Sequence, residues 1–219
     1  MKLNNGLEQL NTALTDAILK EYVSGKKILL TLSGGMDTRL ILAIMLKHGI
    51  IPDVMTWDGS PGDIKIAHTI SKKYGLNHIL VHKKTDDLNW KEDVNKVLKN
   101  YDIIYYGELM SEVFNKFVRF TESEKKLNNL ITNFYVWVEY NVDREKCNKI
   151  MPCLDKKVME ATEKIPICFR VYGYINRKLI QYNYPDLMKI PHTVVNLRYR
   201  VLECFYWVVI PLIGRCAKY

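Results

Sequence analysis

The residues best suited to chemistry form the hexapeptide S-G-G-M-D-T at positions 33–38. It follows an apolar run at 28–32 and precedes apolar residues at helical spacing at 40–46, so the pattern predicts a strand, a glycine turn and a helix. The unpaired N–H groups of a first helical turn and the positive end of the helix dipole attract anions. The serine and threonine hydroxyls add donors, and the two glycines leave room for a phosphate to approach. The hexapeptide therefore predicts an anion-binding loop, and the alternative is a glycine turn that only caps a helix.

No lysine follows the second glycine of this loop, so it is not the G-x-x-x-x-G-K-[ST] motif that holds the β and γ phosphates of a mononucleotide. It resembles instead S-G-G-x-D-[ST], the pyrophosphate loop of the ATP pyrophosphatase (PP-loop) superfamily, with Asp37 as its acidic residue. Members of that superfamily cleave ATP between the α and β phosphates. The resemblance implies that this protein binds ATP and adenylates a substrate.

Strands and helices alternate on both sides of the loop. A leading helix is predicted by Leu7, Leu10, Leu14 and Ile18. After the loop and its helix, further strands are predicted at 53–57, 78–82 and 102–106, each followed by a helix, at 63–74, 86–99 and 107–120. Strands that alternate with helices indicate an α/β fold with a doubly wound parallel sheet.

The sequence changes character near residue 121, where the alternation gives way to helical, aromatic and basic segments. We therefore expect two units. Residues 1–120 are predicted to form the nucleotide-binding α/β core, and residues 121–219 a smaller, mostly helical lobe that completes the domain. The apolar run at 201–213 contains Pro211 and is shorter than the roughly 20 residues that cross a membrane, so we expect it to dock against the first unit.

Three predicted turns carry polar residues, at 33–38, 56–63 and 106–112. Ligands of doubly wound sheets bind beyond the carboxyl ends of the strands, where such turns gather. We therefore expect the three turns to form one site. Trp57 is suited either to stacking on a base or to packing in the core.

The third turn narrows the family, because G-E-L-M-S-E-V-F at 107–114 resembles the G-E-G-S-D-E-L-F segment of the asparagine synthetases. The segment at 151–160 is similar to their R-x-P-F-L-D-x-R-x-V-E block, and residues 177–180 to a later K-x-x-L-R block. The spacing of Asp63, Ala67 and Ile70 matches a D-x-x-x-A-x-x-I helix of the same family. The resemblance extends from about residue 7 to residue 191.

This resemblance implies an AMP-forming carbon–nitrogen ligase that uses ATP and Mg²⁺. A substrate carboxylate is adenylated with release of pyrophosphate, and ammonia or an amine then attacks the acyl-adenylate. Asp37 is the implied Mg²⁺ ligand, Glu108 the implied base or orienting group for the amine, and Arg177 or Lys178 the implied cation at the phosphates. The nucleotide is implied to contact Leu32, Ser33, Gly34, Gly35, Asp37, Thr38, Thr56, Trp57, Asp63, Tyr106, Gly107 and Glu112. The alternative for Glu108 and Glu112 is stabilisation of a helix N-terminus.

Two features depart from the family pattern. Too few residues precede the glycine loop to form a glutaminase domain, so we expect ammonia from solution or from a separate glutaminase subunit, or a different amine as nucleophile. Ser111 stands where the family has an aspartate that helps to hold Mg²⁺ on the pyrophosphate. A nucleotide-binding subunit without turnover of its own is therefore an alternative.

Composition predicts a globular cytoplasmic protein. The chain has 219 residues, of which 48% are hydrophobic and 26% charged, and no signal peptide or membrane span is predicted. The five cysteines form no C-x-x-C pair, and the five histidines lack metal-ligand spacing. The net charge of +8 allows a second alternative, a PP-loop enzyme that modifies tRNA, although the basic residues are scattered and do not form one tract.

Overall fold

The structure is a computed structural model that describes residues 3–81, 90–107, 110–114, 148–166, 169–170 and 173–193. Within these residues five strands form one sheet, namely β1 (Ile28–Thr31), β2 (Asp53–Trp57), β3 (His78–Val81), β4 (Ile103–Tyr105) and β5 (Asn148–Ile150). Their order is β3-β2-β1-β4-β5, and every neighbouring pair is parallel. The predicted α/β fold with a parallel sheet is confirmed.

The helices of the described residues alternate with the strands as far as β5, and two further α-helices follow it. They are α1 (Leu3–Leu19), α2 (Asp37–Lys47), α3 (Pro61–Tyr74), α4 (Trp90–Leu98), α5 (Met110–Phe114), α6 (Lys156–Glu163) and α7 (Tyr174–Asn183), with short 3₁₀ helices at Pro152–Leu154 and Pro185–Lys189. The prediction of a helix at 107–120 is confirmed for Met110–Phe114, and residues 115–120 lie outside the description. None of the described helices is both long and apolar enough to cross a membrane.

Helices cover both faces of the sheet, which makes it doubly wound. Because successive side chains of a strand point to opposite faces, Leu30 and Leu29 belong to two different cores. The larger core joins the sheet to α1, α2, α3, α6 and α7. The smaller core joins it to α4 through Val94 and Leu98. Strands buried on both faces explain the continuous apolar runs in the sequence.

α2 is the most deeply buried helix of the larger core. Residues 38–45 are all buried, and the helix packs against β1, α1 and α7. A helix that is apolar on all sides is stable only when it is surrounded by protein, and the sequence of α2 has this character. Arg39 is the exception, since it carries a charge and its side chain is nevertheless fully buried.

β5 was not predicted from the sequence. Its three residues, N-K-I, are too few to show a period of two, and they follow a segment of helical and aromatic character. Pairing with β4 in the register Ile103 to Asn148 places them in the sheet. The proposed division into residues 1–120 and 121–219 stays a prediction, because residues 115–147 and 194–219 lie outside the description.

The strand order creates a crevice at one position of the sheet. The chain runs from β1 to β2 and β3 on one side, and then returns to place β4 and β5 on the other side of β1. The loops that leave the carboxyl ends of β1 and β4 therefore diverge. Such a switch point is where ligands bind in open α/β sheets.

Candidate functional site

The two sides of the crevice meet at Gly107 and Thr38. A Cβ atom at Gly107 would lie 2.5 Å from Thr38 Cγ2 and 2.8 Å from the backbone N and Cα of Thr38. The carboxyl end of β4 therefore packs directly on the first turn of α2, and the contact requires a residue without a side chain. The resemblance placed Gly107 and Thr38 in one site, and the structure brings them together.

We expect Gly107→Ala to destabilise the fold by about 1–3 kcal/mol, since the backbone of Thr38 cannot move away without displacing α2. The measurement is urea-induced unfolding of the ligand-free protein. Gly59→Ala is the matched control, because a Cβ there would have no described atom within 4 Å. Equal stability of the two variants would contradict the close packing of β4 on α2.

The glycine loop is held in shape by its own hydroxyl groups. The backbone N–H of Ser33 donates to Thr38 Oγ1 over 3.1 Å, and the N–H of Gly35 donates to Ser33 Oγ over 3.2 Å. The two hydroxyl oxygens are 3.3 Å apart. Met36, which precedes α2, provides no side-chain cap. Two hydroxyl groups thus lie together at the positive end of α2.

Asp63 lies against the loop from α3. Its Oδ1 accepts hydrogen bonds from the N–H of Gly34 at 2.9 Å and from Thr193 Oγ1 at 2.6 Å. The Oγ of Ser60 caps α3 by accepting from the N–H of Asp63 at 3.3 Å, which fixes the start of this helix. Asp63 and Gly34 were both predicted to contact the nucleotide. In the structure they contact each other, so Asp63 stabilises the loop.

The surroundings of the two loop glycines differ. A Cβ atom at Gly34 would overlap Thr193 Oγ1 and would lie 2.6 Å from Asp63 Oδ1, so protein atoms fill that space. A Cβ atom at Gly35 would have one described neighbour within 4 Å, Ser33 Oγ at 3.2 Å. An anion that reaches the loop therefore has room over Gly35, on the side of the hydroxyl groups.

A segment from the C-terminal part of the described chain crosses the loop. This segment, residues 190–193, is called the strap below. The N–H of Thr193 donates to the carbonyl of Gly34 at 3.1 Å, which joins the strap to the loop through the backbone as well as through Asp63. The loop is therefore completed by a part of the chain about 160 positions away, and local sequence does not reveal this contact.

Arg39 holds the strap in place from below. Its side chain is fully buried, and its described hydrogen-bond partners are all backbone carbonyls. They are Leu187 at 3.2 Å, Ile190 at 2.7 Å, Pro191 at 2.9 Å and Gly34 at 3.2 Å. Burial, and secondarily the charge of Arg177, lowers the pKa of Arg39 to about 10, so the guanidinium stays charged at neutral pH. A permanent cation therefore lies beneath the glycine loop, where it favours a bound anion.

Asp37, the first residue of α2, is partly buried at the loop. Its Oδ1 accepts a hydrogen bond of 2.5 Å from the side-chain amide of Asn176 in α7. The described residues contain no group of three or more His, Cys, Asp or Glu side chains that could hold a metal ion without help. Mg²⁺ commonly takes one or two carboxylates and completes its shell with waters and phosphate oxygens. Asp37, at the positive end of α2 beside the glycine loop, therefore fits Mg²⁺ carried by a nucleotide.

The two candidate cations of α7 lie in different surroundings. Arg177 Nη2 is 2.8 Å from His192 Nε2 in the strap, and because a guanidinium only donates, this imidazole nitrogen accepts. Lys178 lines a cavity of about 360 Å³ between α1 and α7, with Asn4, Leu7 and Glu8 on the opposite wall. Of the two, Arg177 is the one that the structure connects to the strap.

The carboxyl end of β2 is bonded to Leu32, the residue that precedes the glycine loop. Thr56 Oγ1 donates to the carbonyl of Leu32 at 2.7 Å, and it therefore accepts from His78 Nε2 at 2.9 Å. Burial, and secondarily the charge of His68, lowers the pKa of His78. Trp57 packs against the smaller core. Of these two predicted nucleotide contacts, Thr56 is bonded to the residue before the loop, and its hydroxyl serves the protein's own hydrogen bonds.

The predicted residues of the third turn are described only in part. Tyr106 is buried in the smaller core, and its N–H donates to the carbonyl of Ile150 at 2.9 Å. Glu108 lies outside the described residues, as do the side chains of Ser111 and Glu112 in α5. The roles implied for Glu108 and Glu112 stay predictions.

Sequence reasoning missed three residues at the site, namely Arg39, Asn176 and Thr193. For two of them the sequence contains a feature that could have indicated the contact. Arg39 is a charged residue directly before the apolar run of α2, and Asn176 shares the apolar stripe of α7 with Leu179 and Ile180. A polar group at a buried position needs hydrogen-bond partners, so each of these residues indicates a specific contact. Nothing near Thr193 in the sequence indicates its contact with the loop.

The described chain is thus an α/β protein with a hydroxyl-lined glycine loop at the switch point of a parallel sheet. No family model matches it. A probable glutamine-hydrolysing asparagine synthetase of Acanthamoeba polyphaga mimivirus is 36% identical over 107 residues, which are 44% of this chain and 19% of the viral protein. The matched region is therefore less than half of this chain and about a fifth of the relative. This similarity supports an asparagine synthetase-like relationship for that region.

Proposed function

We propose that this protein is an ATP-dependent, AMP-forming amide synthetase that activates a carboxylate and transfers the acyl group to ammonia or an amine. The observation that carries the proposal is the loop at 33–38, with its hydroxyl groups and Asp37 at the start of α2 beside the switch point. The similarity to the probable asparagine synthetase supports the same class of reaction.

The nucleotide would place its phosphates over Gly35. The first amides of α2 would act as donors there, together with whichever hydroxyl of the Ser33–Thr38 pair does not donate to the other. Asp37 would hold Mg²⁺, which neutralises charge on the phosphate oxygens. Arg39 adds positive charge from beneath the loop without leaving its carbonyl partners. These groups are in place before a ligand arrives, which is the condition for electrostatic stabilisation.

In the first step a carboxylate oxygen of the substrate bonds to the α phosphorus, and the bond from this phosphorus to the bridging oxygen breaks. Pyrophosphate leaves with the electron pair. In the second step the nitrogen bonds to the acyl carbon and loses a proton. The bond from this carbon to the oxygen of AMP breaks, and AMP leaves with the electron pair. We assign the proton transfer to Glu108 and the stabilisation of phosphate charge to Arg177. Ammonia from solution or from a separate glutaminase subunit is the proposed nitrogen source.

The proposal predicts that labelled pyrophosphate enters ATP when the correct carboxylate is present. The assay surveys amino and keto acids with purified protein and Mg²⁺, and repeats the positive samples with EDTA. We expect exchange with a subset of acids and its loss on chelation, because phosphoryl transfer depends on the metal. Formation of ADP and phosphate alone would overturn the assignment to AMP-forming chemistry.

A second candidate is a nucleotide-binding subunit without turnover. It is favoured by the bond between Gly34 and Asp63, since a carboxylate already occupies one amide of the loop. The two candidates give different results with the same protein. Binding of ATP without exchange in the presence of any acid would support the second candidate, and exchange would exclude it.

A further inference from the structure

Asn176 is an unfavourable residue for its position. It lies on the buried stripe of α7, which continues with Leu179, Ile180 and Asn183 at spacings of three, four and seven, and its exposed fraction is 0%. Asparagine is a weaker helix former than leucine, and burial removes its amide from water. Leucine of similar size would suit the packing better, so the amide needs another explanation.

The described hydrogen bond of this amide goes to Asp37. Because a carboxylate can only accept, the amide presents its NH₂ group to Asp37 Oδ1, and its own oxygen points elsewhere. That oxygen is buried and has no partner among the described residues. Asn176 therefore costs stability through one unsatisfied oxygen and provides one directed bond to the carboxylate at the loop.

Asn183 lies two turns further along the same stripe, and its amide, unlike that of Asn176, is fully hydrogen-bonded. Its exposed fraction is 6%, and both ends of its amide are bonded. The NH₂ group donates to Asn11 Oδ1 at 2.5 Å and to the Leu179 carbonyl at 2.9 Å, and its oxygen accepts from Lys47 at 3.1 Å. Asn183 thus links α7 to α1 and α2, as a structural asparagine does.

We propose that Asn176 is a positioning residue that orients the carboxylate of Asp37 toward Mg²⁺ bound with the nucleotide. The proposal rests on the proposed function, because it takes Asp37 as the metal ligand. The amide fixes one carboxylate oxygen, so the plane of the carboxylate is set before the metal arrives. Groups that orient a metal ligand in this way commonly change metal affinity about 10- to 100-fold when they are removed.

The test compares Asn176→Leu with Asn183→Leu and the unaltered protein. Calorimetry measures binding of α,β-methylene-ATP, which cannot be cleaved at the relevant bond, at a series of Mg²⁺ concentrations. For Asn176→Leu we expect the Mg²⁺ concentration at half-maximal binding to rise about 10- to 100-fold. We expect its melting temperature without ligand to be unchanged or higher, because a buried unsatisfied oxygen is removed.

Asn183→Leu should show the opposite pattern. Its melting temperature falls, since Asn11 and Lys47 lose their partner, and its Mg²⁺ response matches that of the unaltered protein. The proposal is overturned if Asn176→Leu keeps the normal Mg²⁺ response, and a lowered melting temperature with that response assigns Asn176 a structural role. If the unaltered protein shows no Mg²⁺-dependent binding, the proposed function fails and this inference fails with it.

Discussion

Asp37→Asn is expected to lower the rate of pyrophosphate–ATP exchange by about 10²- to 10³-fold, the size of effect seen when one group that stabilises transition-state charge is removed. The substitution removes the negative charge and keeps the shape. The new amide oxygen can still accept the hydrogen bond from Asn176, so the contact between α2 and α7 survives. The expected loss therefore reports on the negative charge that we propose as the Mg²⁺ ligand.

The control for Asp37→Asn is Asp16→Asn, because Asp16 is an exposed carboxylate on α1 and its removal also makes the net charge more positive. We expect this control to exchange at the normal rate. Titration with Mg²⁺ shows whether weakened metal binding causes the loss of exchange, since high Mg²⁺ partly compensates for weakened metal binding. Normal exchange by Asp37→Asn would show that the metal is held by other groups.

The fold was predictable because its elements are periodic. β1, β2 and the helix that ends at Gly75 follow from apolar runs and turn residues, and Gly75 has the left-handed conformation expected at a helix end. β5 was not predictable, because three residues have no period. Its place in the sheet depends on pairing with β4 across more than 40 positions of chain.

The glycine loop was also predictable, since a strand, two glycines and a helix are local features. The partners of the loop were not. Asp63 was recognised as polar and near the loop, but its bond to Gly34 depends on the strap, whose Thr193 donates to the same oxygen. Local reasoning thus finds the glycine loop more easily than the distant groups that hold it in place.

Arg39 gives the strongest test of how the strap is held. We expect Arg39→Met to lower the free energy of unfolding by about 3 kcal/mol, because hydrogen bonds from a charged group are lost and buried carbonyls are left without donors. Methionine keeps most of the apolar part of the arginine side chain, so the packing around α2 changes little. Chemical denaturation measures the loss.

Arg39→Lys distinguishes the charge from the planar shape of the guanidinium. Lysine keeps the charge, but its single nitrogen cannot reach carbonyls on the strap, on the preceding 3₁₀ helix and on Gly34 at once. We therefore expect Arg39→Lys to keep a large part of the loss in the free energy of unfolding. Lys72→Met, at an exposed position of α3, controls for removal of one positive charge and should be nearly neutral.

Hydrogen exchange of the Thr193 amide measures directly whether the strap stays on the loop. The N–H of Thr193 is bonded to the carbonyl of Gly34, so its protection reports whether the strap lies on the loop. In Arg39→Met this amide should exchange much faster, whereas amides in the middle of α3 should be accelerated only as far as the loss of global stability requires. If Thr193 keeps its protection while stability falls, the strap is held by Asp63 and its own backbone. Arg39 would then stabilise α2 alone.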